Sequence, residues 1–212
     1  MKKTAIALAM ASISLPSMAA AQDDYVNYEE APEKSAAHKA GFRVEGRAFY
    51  ENITDPEEDI GIIYEFGNGV GAGVEFGADF AVSDTVVLGP YVTYDFSSME
   101  NCEDGACLST PTYWAVGLHA GIVTGSKGMV FAKLGYGEQE VTLEGTFDDP
   151  VDGPILLDES ESGGGYNFAL GYEHGFGGPL YGRVEVGVSE SYDIYGFDLQ
   201  RGFFGLGLGA RF

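Results

Sequence analysis

Apolar and polar residues alternate with a period of two through almost the whole chain after residue 41. Turn residues divide this region into eight segments, and each matches, allowing for overhang, the roughly 9–11 residues that a tilted strand needs to cross a bilayer. The segments are 41–50, 70–81, 85–97, 112–124, 129–140, 164–175, 179–190 and 200–212. The pattern predicts an all-β protein, an eight-stranded antiparallel up-and-down barrel occupying residues 41–212.

Even-numbered positions carry the apolar side chains, as Phe204, Leu206, Leu208 and Phe212 do in the last segment. The odd-numbered positions carry His119, Tyr181 and the charges: Arg43, Glu45, Arg47, Glu75, Asp79, Asp95, Lys133, Glu173, Arg183, Glu185 and Arg211. Soluble barrels place their apolar face inside and their charges in water. A transmembrane barrel reverses this arrangement, with the charges paired inside a closed lumen.

The charged face is also rich in glycine, with Gly205, Gly207 and Gly209 in the last segment alone. Glycine weakens a strand, and a strand face in water does not require it. The interior of an eight-stranded barrel is just wide enough to be filled by side chains. Glycines there leave room for long Arg, Glu and Tyr side chains, so we predict a lumen filled by a charge network.

Residues 60–67 allow a second count of the strands. Asn68 and Gly69 could form a hairpin turn, which would make 60–67 a ninth strand. Single-chain bacterial barrels have an even number of strands. We therefore prefer to treat 60–67 as an extension of the second strand.

The connections alternate between short and long. Short connections lie at 82–84, 125–128 and 176–178, and long ones at 51–69, 98–111, 141–163 and 191–199. Outer-membrane barrels have short periplasmic turns and long external loops, so both termini are predicted to be periplasmic. This orientation places aromatic residues in two girdles. The outer girdle has Tyr50, Tyr94, Phe96, Trp114, Tyr136, Tyr166 and Phe204, and the inner girdle has Phe42, Phe80, Tyr172 and Phe212.

The first 40 residues lack strand periodicity. Lys2 and Lys3, an apolar run over 5–15 and small residues up to Ala21 form the three parts of a secretory signal peptide, predicted to be cleaved after Ala21. Residues 22–40 are polar, without a periodic apolar pattern, and we expect a flexible periplasmic segment there. Because an exported protein meets an oxidising compartment, we expect Cys102 and Cys107 to form a disulfide.

Acidic residues are concentrated in the predicted external loops. Residues 51–69, 98–111, 138–163 and 190–199 contain 21 Asp and Glu but no Lys or Arg. The sign of the charge argues against a nucleic-acid partner. A solvated, self-repelling loop surface is one interpretation. Divalent-cation binding is another, since Asp148, Asp149 and Asp152, or Asp158, Glu159 and Glu161, offer the oxygen ligands that Ca²⁺ uses.

The strand 203–212, Phe-Phe-Gly-Leu-Gly-Leu-Gly-Ala-Arg-Phe, and the hairpin 77–91 resemble the small outer-membrane barrels of Gram-negative bacteria. The resemblance is to the N-terminal barrel of OmpA and to opacity-type porin-like proteins, over about residues 41–212. It implies an outer-membrane location among outer-membrane lipids. It also implies that the terminal strand, with Phe204, Leu206, Leu208 and Phe212, is a signal for the barrel-assembly machinery.

Three functions fit such a barrel. The first is a non-enzymatic surface or structural protein with a filled lumen and acidic external loops. The second is a narrow channel for ions or small solutes, against which the small strand number argues. The third is a membrane-embedded hydrolase, which requires a nucleophile with a base in reach. Of the three histidines, His38 lies in the tail, His119 in the lumen and His174 near a periplasmic turn. We therefore expect no catalytic, cofactor or metal site.

Overall fold

A computed structural model describes residues 35–57, 62–103, 105–149 and 153–212. One turn of 3-10 helix, Ala36–Lys39, precedes ten strands. The strands are β1 (Gly41–Glu57), β2 (Ile62–Ala81), β3 (Val86–Ser97), β4 (Glu100–Glu103), β5 (Ala106–Ser109), β6 (Thr112–Val123), β7 (Gly128–Asp149), β8 (Gly153–Gly177), β9 (Leu180–Ile194) and β10 (Phe197–Arg211). No helix in these described ranges is long and apolar enough to cross a membrane.

Eight of the strands form a closed antiparallel ring. Each of β1, β2, β3, β6, β7, β8, β9 and β10 pairs with the next, and β10 pairs again with β1. Phe42 and Phe212 exchange backbone hydrogen bonds of 3.0 and 2.8 Å at this closure. A closed ring leaves no unpaired edge, which lipid could not satisfy. The prediction of an eight-stranded antiparallel barrel is confirmed.

The outer surface of the ring is apolar, on the predicted parity. Phe76, Leu134 and Leu208 are 49%, 63% and 63% exposed, and even-numbered apolar residues of every ring strand accompany them. Register brings the predicted girdle residues together, with Tyr50 beside Phe204, Tyr94 beside Trp114 and Tyr136 beside Tyr166. In water, a belt of this kind would expose a large apolar surface at a cost in free energy. Against the hydrocarbon of a bilayer this cost is absent.

The two ends of the barrel differ. Short turns join the strands at one end, here called the short-turn end, where Phe42 and Phe212 also lie. At the opposite end, the long-hairpin end, most ring strands continue beyond their predicted limits. β7 and β8 pair as far as Asp149 and Gly153. Much of the sequence predicted as long loops is therefore strand, because cross-strand pairing extends above the apolar belt.

The ninth strand is excluded by the register of β1 and β2. Asn52 pairs with Asn68, so β2 runs without a turn through Asn68 and Gly69. Residues 62–67 extend β2, as preferred, with a bulge between Ile53 and Thr54 on β1. Residues 58–61 lie outside the described residues.

The turn Ala36–Lys39 lies at the short-turn end. The Ala36 amide donates to the Asp84 carbonyl, 2.8 Å away, and the Lys39 side chain is buried. The prediction of a flexible polar segment reaching residue 40 did not anticipate this docked turn, since a single inward lysine leaves no periodic pattern. The predicted signal peptide, 1–21, and residues 22–34 lie outside the described residues.

Candidate functional site

The centre of the lumen is occupied by Glu75 on β2. This carboxylate is fully buried and lies among four cations, two from the neighbouring β1 and one each from β7 and β9. Lys133 Nζ is 2.7 Å and Arg183 Nη1 is 3.2 Å from its oxygens, Arg43 donates a short hydrogen bond, and Arg47 Nη1 is 4.0 Å away. The odd parity of the strands explains the arrangement, since odd positions face inward in the part of the ring that carries the apolar belt.

Towards the short-turn end the network continues through Asp79 and Glu173. Arg211 lies 3.0 Å from Asp79 and 2.7 Å from Glu173, and therefore links β2 to β8 across the lumen. Lys39 adds a further cation, with Nζ 3.0 Å from Glu173 and 2.8 Å from the Lys127 carbonyl. His119 Nδ1 is 3.0 Å from Asp79.

Towards the long-hairpin end the network continues through Asp95 and Glu51. Arg201 bridges them, at 3.1 Å from Asp95 and 2.5 Å from Glu51. Ser97 donates a short hydrogen bond to Glu51. The sequence reading missed Glu51, Arg201 and Lys39. Glu51 continues the odd parity one residue beyond the first predicted strand, and Arg201 has the same parity inside the last predicted strand, so the alternation could have included both.

Positive and negative charges balance in these ion pairs. Seven Lys or Arg residues pair with seven carboxylates, and the set includes all eleven predicted lumen charges: Lys39, Arg43, Arg47, Lys133, Arg183, Arg201 and Arg211 with Glu45, Glu51, Glu75, Asp79, Asp95, Glu173 and Glu185. Inward aromatic rings cover the guanidinium groups. Cζ of Arg183 is 4.4 Å from the Phe131 ring centre, and Cζ of Arg201 is 4.4 Å from the Tyr113 ring centre.

Lumenal glycines make space for these rings. A Cβ atom built on Gly209 would lie 2.3 Å from Cζ of Tyr181, the residue that faces it across the β9–β10 pair. Real Cβ atoms do not approach other heavy atoms so closely. Tyr181 is 1% exposed and cannot move into solvent.

We expect Gly209→Ala to destabilise the folded barrel by about 1–3 kcal/mol, the usual cost of overpacking a filled interior. Tyr181→Leu in the same chain removes the ring and should recover part of that loss. Equilibrium unfolding in guanidinium, with the protein in lipid vesicles, measures both. Gly202→Ala is the matched control, because nothing lies within 4 Å of a Cβ there. Purely additive effects of the Gly209 and Tyr181 changes would contradict the packing argument.

Apolar clusters close both ends of the charged region. At the short-turn end Ala36 packs with Val87, Val123 and Met129. At the long-hairpin end Ile53, Met99, Val141, Ile194 and Leu199 form a second buried cluster, here called the cap cluster, with Phe66, Leu108 and Tyr195 packed against it.

At the cap cluster the apolar residues change from the outward to the inward face of the strands. Ile53, Val141 and Leu199 occupy odd, inward positions that carry charges lower in the barrel, while outward positions here carry residues such as Asn52, Thr142 and Glu144. Above the belt the outside is water instead of lipid, so apolar residues turn inward as in a soluble protein. The extensions are therefore a folded head with its own core, and we call this part of the molecule the head.

The head has an acidic surface. Among the Lys and Arg of the described ranges, Lys127 alone lies outside the lumen, and it belongs to a turn at the opposite end. At the top of β9, the Glu190 carboxylate accepts hydrogen bonds from Tyr192 at 2.7 Å and Tyr166 at 2.8 Å. The bond to Glu190 raises the pKa of Tyr192 to about 12.

The predicted disulfide is present, between Cys102 on β4 and Cys107 on β5. It closes a small hairpin whose β5 strand pairs with the extension of β7. Glu100 lies close to both sulfur atoms. Because both sulfurs are bonded to one another, this group offers no thiolate to a metal ion.

The two candidate cation groups differ in how far they can be assessed. Asp152 lies outside the described residues, as do the side chains of Asp148 and Asp149. Glu159 and Glu161 share one face of β8, and Asp158 lies on the other, since side chains alternate along a strand. The second triad is therefore divided between two faces, and Glu161 accepts a hydrogen bond from the Tyr195 amide at 2.8 Å.

The histidines are placed as predicted along the barrel. His119 is fully buried in the lumen between Asp79 and Arg183, whose Nη2 lies 3.2 Å from Nε2. His174 is near the short-turn end, beside Tyr172. Phe204, Leu206, Leu208 and Phe212 all lie on the exposed face of β10 or at its end. Their part as an assembly signal stays a prediction.

Comparison with solved structures identifies the architecture. Ail, the attachment invasion locus protein of Yersinia pestis, is 14% identical, and the match covers 82% of this chain and 99% of that one, with a TM-score of 0.54. This chain has the fold of the small outer-membrane barrels. Neisserial surface protein A is also similar, at 13% identity, over 82% of this chain and 98% of that one, with a TM-score of 0.52.

Sequence comparison finds no counterpart. No family profile matches the chain, and no curated protein matches it. The likeness therefore concerns the backbone fold, the closed eight-stranded ring.

Proposed function

We propose that this protein is a non-enzymatic, non-conducting outer-membrane barrel that holds a rigid acidic head outside the cell. Its work is done at the head surface, and the barrel is an anchor. The N- and C-terminal ends of the barrel face the periplasm and the long hairpins face outward, as in other barrels with short periplasmic turns.

The observation that carries this proposal is the filling of the lumen. A network of seven cations and seven carboxylates spans the interior, between an apolar cluster at each end. An ion moving through it would have to break buried pairs, and breaking such a pair costs about 3–5 kcal/mol. Side chains such as Glu75, Tyr181 and Ile53 are at most 1% exposed, and this close packing supports a lumen without a continuous path for water.

The acidic surface limits the ligands of the head. One Ail structure contains sucrose octasulfate, a heparin analogue. The present head has no Lys or Arg on its described surface, so a sulfated polyanion is an unsuitable ligand for it. Cationic partners fit its charge, and these include divalent cations, the second interpretation of the acidic loops.

Planar-bilayer recordings test the closed lumen. With folded protein inserted, we expect no steady conductance above that of the bare membrane at moderate voltage, because the interior has no continuous aqueous path. Insertion is verified independently by recovering the folded, heat-modifiable species from the same bilayer preparation. Steady unitary conductance with the native sequence would contradict the proposed anchor function and favour a narrow channel for ions or small solutes.

A further inference from the structure

The head contains a strand edge that the barrel does not use. β8 pairs with β7 from His174 to Gly153, but its pairing with β9 reaches only Asn167. Just above, the β9–β10 turn contacts β8 through the Tyr195 amide and Glu161. For residues 153–160 the described chain provides no second neighbour.

We propose that this edge of β8 binds an extended, lysine- or arginine-rich polypeptide segment, which adds a strand to the head. The edge of eight residues is roughly 26 Å long at the usual rise per residue. Its unpaired backbone groups can form a ladder with any extended chain, and side-chain pockets then select the partner. This inference rests on the proposed acidic head and names its partner.

Side chains beside the edge favour positive charge. Register aligns Cys107, Glu144 and Asp158 in one row across β5, β7 and β8. Glu144 and Asp158 are both exposed and directly opposite each other. Like charges in this position destabilise a sheet. A lysine or arginine from an added strand would lie beside Asp158, with Glu144 one strand further away, and its positive charge would relieve the repulsion.

The same row lies in a shallow groove. Its walls include Gly105, Thr146 and Leu156 in addition to Cys107, Glu144 and Asp158. Leu156 is 78% exposed, which provides an apolar surface for the methylene groups of a long basic side chain. The disulfide holds the β4–β5 hairpin at the other side of the groove.

The charge of the edge argues against a second copy of this chain. Edge-to-edge pairing of two β8 strands would bring Asp158, Glu159 and Glu161 of one molecule towards the same residues of the other. Such contacts repel at ordinary ionic strength. A cationic strand is therefore the occupant that both the backbone and the side chains support.

Fluorescence anisotropy with the full chain in nanodiscs tests the proposal. The probe is a labelled peptide of alternating lysine and valine. A second peptide of the same composition has N-methyl groups on alternate residues and cannot form the ladder. We expect saturable binding of the first peptide and at least about tenfold weaker binding of the second, because the ladder bonds are lost.

Glu144→Gln with Asp158→Asn should weaken binding of the first peptide about tenfold, because the basic side chains of the peptide lose two negative charges near the edge. Glu100→Gln with Glu103→Gln is the matched control, which removes the same charge from β4, and it should bind nearly as the native chain does. Equal binding of both peptides would overturn strand addition. Equal weakening of peptide binding in both double variants would indicate general electrostatic attraction and would contradict a site at the β8 edge. Saturable Ca²⁺ uptake at Glu144 and Asp158 without peptide binding would assign the pair to a cation and reject the proposal.

The outcome is separable from that of the proposed function. If the barrel does not conduct and binds neither peptide, the proposed anchor function stands and the proposed cationic partner is rejected. Steady conductance, by contrast, removes the anchor whatever the peptides do.

Discussion

Replacing Glu75 with glutamine is expected to destabilise the folded barrel by roughly 3–5 kcal/mol, the cost of removing one partner from a buried ion pair. The glutamine side chain fills the same volume but leaves Arg43, Lys133 and Arg183 without their shared counter-charge. No solvent can enter to replace it, because Glu75 is fully buried. Equilibrium unfolding in guanidinium, with the protein in lipid vesicles, measures the change.

Glu100→Gln is the control for this prediction. It removes the same charge from an exposed position on β4, and its effect should stay within about 0.5 kcal/mol. Adding Arg43→Gln to Glu75→Gln should cost less than the sum of the single changes, since the two residues share one pair. A Glu75→Gln barrel as stable as the native one would refute the view that the network holds the lumen together.

The second large effect is expected on the outer surface. Leu208→Arg should destabilise the barrel by about 2–4 kcal/mol in a bilayer, because it places a guanidinium at mid-depth in hydrocarbon. Leu208 lies on β10 between the girdle residues Phe204 and Phe212, and it is 63% exposed. The measurement is again unfolding from lipid vesicles.

Leu156→Arg provides a matched comparison. Leu156 is even more exposed, at 78%, but it lies on the head extension of β8, above the apolar belt. In water the new charge should change the stability by less than about 0.5 kcal/mol. Exposure alone does not distinguish these two leucines, so only the membrane can separate their effects. Equal tolerance of both substitutions would show that the belt does not face lipid.

The periodicity of two was sufficient to predict much of the fold. It located all eight ring strands and assigned Leu208 to the outer face and Glu75 to the inner face, because successive side chains of a strand point to opposite sides of the barrel wall. The expected cysteine pairing followed from the compartment that the signal peptide implies. The short turns could be read from breaks in the alternation.

The long-hairpin end was harder to predict for a physical reason. There the solvent outside changes from lipid to water, so an inward position favours Ile53 or Leu199 instead of a charge. When one alternation of apolar and polar residues is assumed for a whole strand, this reversal is taken for the end of the strand. As a result, the extensions of β7 and β8 were taken for loops, and Glu51, just beyond the first predicted strand, was not included in the lumen network.

The sequence by itself determined the class of the protein, the strand count and, within the apolar belt, the side of the wall on which each residue lies, since these depend on local alternation. Only the tertiary structure decided which charges meet. Glu75 contacts cations on strands up to 108 positions away in the chain, and Lys39 reaches Glu173 from outside the periodic region. Such pairings depend on the stagger of the closed ring. The same stagger leaves one edge of β8 without a partner, a feature that no local pattern encodes.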